Sequence, residues 1–161
     1  SGGEPTCQPE FLLQLLQLSK FHNLHTCLET NGYVKLSVLE SIISYLDLIL
    51  LDYKTLDPDK LSKIPGTGDA KLWYAALDYI QSLNKPVILR MPIIPGFNDD
   101  TEHFAKAKAL KSKYSVIQRL EIMPYHLLGQ DKWKRIGLDY SLKELAGATP
   151  KQAAYWRSLI D

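Results

Sequence analysis

Four short apolar runs alternate with segments of helical pattern along these 161 residues, and that alternation limits the possible folds more than any other feature. The run Leu48-Ile49-Leu50-Leu51 is continuous, as in parallel strands buried on both faces. The others fall at residues 24–28, 86–91 and 116–123. Between them, residues 9–20 place Phe11, Leu12, Leu15 and Leu16 on one helical face, with Pro9 near the start. Ser37 and Glu40 have the spacing of a capping box for a helix to about residue 46. A loop with Pro58, Pro65, Gly66 and Gly68 leads into a helix over 70–83. Asp99, Asp100 and Thr101 offer N-caps for a helix to about 114. Thr149-Pro150-Lys151-Gln152 opens the last helix with Thr at N-cap, Pro at N1 and Gln at N3. The order α-β-α-β-α-β-α-β-loop-α predicts an α/β fold with a parallel sheet and outer helices, as a single domain over residues 1–161.

Composition excludes several function classes. A net charge of +1 gives no electrostatic footprint for nucleic acid or an anionic membrane. No run of apolar residues is long enough to span a bilayer. The two cysteines, Cys7 and Cys27, form neither a disulfide framework nor a C-x-x-C pattern, which suits a reducing cytoplasm. His22, His25 and His103 show no metal-ligand spacing, and no metal site is expected within the chain. Gly66-Thr67-Gly68 lacks the Gly-Lys-Ser/Thr that a phosphate loop requires, and reads as a helix lead-in.

In parallel α/β folds, function gathers at the C-terminal ends of strands. Here each predicted strand ends in polar residues: Glu29-Thr30-Asn31, Asp52-Tyr53-Lys54, Arg90 and His126. Gly2-Gly3-Glu4 stands where a preceding strand would end. Such edges facing one another suit a ligand with an ammonium, a carboxylate and hydroxyls. Each residue also has a structural reading. Asp52 and Lys54, two apart, fit a strand-end ion pair; Arg90 fits a balance to a neighbouring carboxylate; His126 fits a loop cap; and Asn31-Gly32 is a turn signal. The chain opens on Ser1-Gly2-Gly3-Glu4-Pro5 without an initiator methionine. The expectation is a fragment that starts inside a binding loop, with an exposed sheet edge that favours self-association.

The strings SGGEP, HTCLETNGY, LILLDYK, LRMPIIPGFNDD and EIMPYHLLGQDKW, in that order, resemble the glycyl-radical-enzyme activating enzymes of the radical S-adenosylmethionine superfamily, most closely the pyruvate formate-lyase activating enzymes. The resemblance implies a partial parallel (β/α) barrel, here truncated to about four strands with outer helices, the first strands and the cluster loop being absent. It implies S-adenosylmethionine as cofactor, together with a 4Fe–4S cluster on a C-x-x-x-C-x-x-C loop. The implied reaction is reductive cleavage to a 5′-deoxyadenosyl radical, which takes hydrogen from a glycine of a partner glycyl radical enzyme. An electron donor such as flavodoxin or ferredoxin is implied as a further partner.

By the same resemblance, Gly2, Gly3 and Glu4 bind the methionine amino group. Glu29 and Thr30 lie near the methionine end and a monovalent cation. Asp52 and Lys54 form the D-x-K motif, Lys54 meeting the carboxylate, and Arg90 and His126 line the cofactor and peptide cleft. No C-x-x-x-C-x-x-C occurs in the 161 residues, so the chain is expected to be inactive alone. Two other readings stand beside this one: a Schiff-base lyase with Lys54 as nucleophile, and a cluster-free relative that binds S-adenosylmethionine or a protein partner without catalysis.

Overall fold

A computed structural model describes residues 3–64, 67–129, 133, 135, 137–140, 142 and 144–160. Four strands, β1 (Cys27–Thr30), β2 (Leu48–Asp52), β3 (Val87–Ile93) and β4 (Ile117–Pro124), form one parallel sheet in the order β1-β2-β3-β4. Among the described residues the α-helices are α1 (Pro9–Phe21), α2 (Leu36–Ile42), α3 (Pro58–Leu61), α4 (Ala70–Ser82), α5 (Thr101–Lys113) and α6 (Pro150–Ser158). Strand order follows chain order without reversal. Because parallel crossovers are right-handed, such an order lays every crossover helix on the same face of the sheet.

The burial pattern has that form. Leu28, Ile49, Leu51, Leu89, Met91, Leu120 and Ile122 are buried with Trp73, Leu77, Ile80 and Phe104 of the helices. The register pairs Thr30 with Leu51, Leu51 with Leu89 and Leu89 with Leu120, so these side chains share one face. The alternate residues, Glu29, Leu50, Asp52, Arg90, Glu121 and Met123, face the other side and are half-buried or exposed. Leu48-Ile49-Leu50-Leu51 is therefore buried on one face only, contrary to the two-sided burial its continuous apolar run suggests. Among the described residues no helix is long and apolar enough to cross a membrane.

Several boundaries differ from the sequence pattern for local reasons. The first strand starts at Cys27, because Asn23 takes a positive φ of 54° in the turn leaving α1, and Leu24 is exposed. The Ser37 capping box does not form: α2 starts at Leu36 with Lys35 at N-cap, putting Ser37 inside the first turn. The helix ends at Ile42 and tightens into a 3-10 turn over Ile43–Tyr45. β3 runs through Pro92 to Ile93, since the β4 side of the ladder continues to Ile93↔Pro124. The proline-containing loop holds a helix, α3, capped by Asp57, whose side chain accepts from the N–H groups of Asp59 and Lys60. The Thr149 capping box and the Asp100 cap form as the sequence predicts.

Gly32 closes the β1 turn at φ +80°, where a Cβ would lie 2.6 Å from Trp73 and 2.7 Å from Leu51. Trp73 cannot retreat freely, since its indole N–H donates to the Asp52 carbonyl at 3.0 Å. Gly32→Ala is expected to destabilise by roughly 2–4 kcal/mol, measurable by urea unfolding. His103 is buried and stacks on Tyr53 with centroids 4.6 Å apart, beside Asp100, Lys60 and Lys106. Burial is the largest cause that lowers its pKa to about 4, Lys60 and Lys106 assisting and Asp100 opposing. The unfolded chain thus takes up this proton first, so stability falls as pH drops from about 6.5 toward about 4. Denaturant unfolding of His103→Phe at pH 7 and pH 5 is expected to show a smaller difference than the parent chain, by up to about 1.4 kcal/mol per pH unit.

Candidate functional site

The uncovered face of the sheet concentrates charge at its C-terminal end. The register sets Asp52, Arg90 and Glu121 side by side across β2, β3 and β4. The Arg90 guanidinium reaches over β2, where Nη1 lies 2.5 Å from Glu29 Oε1. Its Nε lies 3.8 Å from Glu121 Oε2, and Nη2 donates to Met123 Sδ at 3.3 Å. The Arg90 side chain is 14% exposed and that of Glu29 61%, so the cation is fixed and its carboxylate partner is the loosely held member. Arg90 Nε is buried and, among the described residues, has no hydrogen-bond partner, Glu121 Oε2 lying just beyond reach. A buried donor without a hydrogen-bond partner is rare in a folded protein.

Lys54 leaves the end of β2 and sets Nζ 3.7 Å from Asp52 Oδ2. Burial pushes the Asp52 carboxyl up from its ordinary range; Lys54 and Arg90 counter part of this and Glu29 adds to it. The C-terminal end of this face therefore sets the cations Arg90 and Lys54 among the carboxylates of Glu29, Asp52 and Glu121. Such a mixture satisfies a zwitterionic ligand: cations for its carboxylate, carboxylates for its ammonium.

Glu4 plays a different part. Its Oε1 accepts from Thr30 Oγ1 at 2.8 Å, from Thr6 Oγ1 at 2.8 Å and from Thr6 N at 3.2 Å, and its Oε2 accepts from Asn31 N at 2.8 Å. This carboxylate clamps the leading loop to the end of β1. Gly3 is exposed at φ +99° with open space around it, and Gly2 lies outside the described residues. Thr30 is buried, its hydroxyl turned to Glu4 and to the Gly32 N–H at 3.2 Å. His126 follows β4, exposed, and joins none of the ion pairs of the described residues. The structure thus gathers Glu29, Asp52, Lys54 and Arg90 in one cluster, holds Glu4 and Thr30 in a second contact beside β1, and leaves His126 at the rim.

Glu121 and Met123 escaped the sequence reading, although Arg119, Glu121 and Met123 alternate along β4 in the period of one strand face. Segments after β2, β3 and β4 also border an apolar cleft of about 480 Å³, lined by Ile64, Ile94, Phe97, Trp133 and Leu142 among others. Cys7 and Cys27 are both exposed, on a 3-10 turn and on β1, and no cluster of His, Cys, Asp or Glu among the described residues is arranged to hold a metal.

Residues 1–107 match the family described as the Radical SAM superfamily. The chain is 33% identical over 166 residues to the pyruvate formate-lyase-activating enzyme of Streptococcus mutans, an alignment covering 99% of the chain and 63% of that protein. It is 34% identical over 145 residues to the protein of the same name from Clostridium pasteurianum, covering 90% and 60%. The chain thus spans about six-tenths of these relatives' length. It also resembles the crystal structure of a domain of pyruvate-formate lyase-activating enzyme from Bacteroides vulgatus, with a TM-score of 0.77 at 17% identity over 99% of the chain and 89% of that structure. A structure of TYW1 with a lysine-pyruvate adduct bound gives a TM-score of 0.56 at 23% identity, covering 84% and 46%. At these identities both structures bear on the fold alone.

The half-buried position of Asp52 generates an expectation for stability. Its carboxyl loses its proton less readily folded than unfolded, so ionisation costs stability as pH rises through its raised pKa. Asp52→Asn is expected to melt higher than the parent chain at pH 7, with the gain shrinking as pH falls toward 4; thermal unfolding at the two pH values checks it.

Proposed function

The chain belongs to the radical SAM superfamily, and from that premise we propose that its open sheet face is the cradle for S-adenosylmethionine in an enzyme that activates a glycyl radical partner, pyruvate formate-lyase being the candidate. The observation that carries this reading is the fixed Arg90 with its orphan Nε, set with Lys54 among three carboxylates on the one face the helices leave bare. The donor set fits the methionine end of the cofactor. Lys54 meets the carboxylate at the β2 end, and Arg90 adds positive charge from β3. Asp52 and Glu29 offset the ammonium and sulfonium charges, while the clamped loop at Gly3 and Glu4 borders the amino group beside Thr30. His126, at the β4 rim, meets the nucleoside part. The four strands then form part of a (β/α) barrel wall, a reading supported by the sequential strand order and the single bare face.

Held by Lys54, Arg90 and the neighbouring carboxylates, S-adenosylmethionine would supply radical chemistry for removing hydrogen from a glycine of the partner. The chain's own residues orient the cofactor and balance its charges. The 4Fe–4S cluster that serves as the family's electron source does not fit these 161 residues. Such clusters need grouped thiolates, and the chain holds only Cys7 and Cys27, on separate elements. We therefore propose that the 161 residues alone do not catalyse the reaction, and that thiolates and an electron donor such as flavodoxin or ferredoxin come from outside them. A reducing cytoplasm suits this chemistry and the unpaired thiols.

Isothermal titration of the chain with S-adenosylmethionine is expected to give saturable binding, weakened about tenfold or more by Lys54→Met. Absence of binding, or identical affinity in Lys54→Met, overturns the reading. Treatment of the chain with iron and sulfide under reducing conditions is expected to yield neither cluster absorption in the visible nor a reduced-state EPR signal.

A further inference from the structure

β2 and β3 part company one residue pair beyond Asp52↔Arg90, the last pair of their register. Even-numbered residues of β3 face β2: Ile49 N donates to Pro86 O at 3.0 Å, and Tyr53 N donates to Arg90 O at 2.7 Å. The next even residue is Pro92, which has no N–H to continue the ladder. Its carbonyl is not lost to the solvent. Asn98 Nδ2 donates to Pro92 O at 2.8 Å and to Lys54 O at 2.7 Å, while Asn98 Oδ1 accepts from Ile94 N at 2.7 Å. The Asn98 side chain is thus inserted between the ends of two parallel strands. Its two amide protons go to one carbonyl on each side, and its oxygen takes an N–H of the loop that brings it back.

That loop is tight. Phe97 N and Asn98 N both donate to Ile94 O, at 3.1 and 3.3 Å, and Gly96 turns the chain at φ +73° with its N–H on Asp99 Oδ1 at 2.8 Å. Asn98 is 1% exposed. Isosteric Asp has no proton for the two carbonyls, and Leu has no polar atom for any of the three partners, so carboxamide chemistry is specifically required.

We propose that Asn98 is a positioning residue for ligand binding at the open face: it fixes the backbone of Lys54 after β2 has left the ladder, and so aims the Lys54 ammonium beside Asp52. The element that Asn98 grips is the carbonyl of Lys54 itself, and without that grip no ladder bond holds the segment where Pro92 has ended pairing. This deepens the cofactor-binding reading above and rests on Lys54 being the cation that meets the cofactor's carboxylate.

The test uses the 161-residue chain with its lysines reductively methylated with ¹³C, the Lys54 signal being assigned from its loss in Lys54→Met. In Asn98→Asp the Lys54 signal is expected to shift without any ligand, reporting a changed distance to Asp52. The dissociation constant for S-adenosylmethionine, by calorimetry, is expected to rise about tenfold in Asn98→Asp and less than about twofold when the same change is made in Lys54→Met. An unmoved Lys54 signal overturns the proposal. So does a loss of affinity equal in the two backgrounds, which is what a merely structural Asn98 gives. A Lys54 signal that shifts in Asn98→Asp, in company with a parent chain that does not bind S-adenosylmethionine, supports the positioning role and overturns the cofactor reading. Should Asn98→Asp fail to fold by circular dichroism, Asn98→Ser, which keeps one donor, is read by the same criteria.

Discussion

The handedness of parallel crossovers shapes everything else in this chain. With strands laid down in the order β1-β2-β3-β4, each right-handed return passes over the same face. That face buries the Thr30, Leu51, Leu89 and Leu120 row under the helices, and the opposite face keeps no such cover. Charged side chains would be expelled from a sheet covered on both sides, because an unpaired buried charge is prohibitively unfavourable. On a bare face they survive, provided they are paired. Glu29, Asp52, Arg90 and Glu121 occupy the alternate positions of strands whose other residues build the core, so stability and site are drawn from the same strands in alternate registers.

Within the site, the members are held with unequal firmness, and this has chemical meaning. Arg90 is nearly enclosed and keeps one donor without an acceptor, whereas Glu29, its nearest partner, is mostly exposed. A ligand carboxylate can therefore meet a cation that is already aimed, while an exposed carboxylate gives way at little loss. Asp52 is poised differently: burial works against its charge, and a cationic ligand would relieve that cost. At the strand ends, Pro92 halts one side of a ladder that continues on the other. The resulting split provides room for Lys54 to leave the sheet plane, with Asn98 closing the gap behind it.

Much of this is legible in the sequence. The alternation of apolar runs with capped helices is a local signal, and the elements at 9–21, 48–52, 70–82 and 101–113 follow it closely. Thr149 and Gln152 formed their capping box because Pro150 preset the first turn. Ser37 and Glu40 have the same spacing, but α2 begins one residue before Ser37, where the packing of Leu39 and Ile42 into the core sets the phase of the helix. Local capping energy of about 1 kcal/mol yields to the burial of two large side chains. Asp52, Lys54 and Arg90 stood out as polar residues ending apolar strands. Glu121 did not, because β4 continues for three residues after it and His126 is the ionisable residue that follows the strand's end.

The sequence alone determined that this is a parallel α/β chain with polar strand ends, since periodicity, caps and prolines act over a few residues and are written in order. It also carried the motifs that resemble the radical SAM family. Only the tertiary structure decided which strand ends meet. That Glu29 reaches Arg90 across β2, that Glu4 spends its carboxylate on Thr30 and Asn31, and that Asn98 replaces a ladder bond opposite Pro92 all depend on strand order and register. Those are properties of distant segments brought together by burial of a shared apolar face, and no spacing along the chain encodes them.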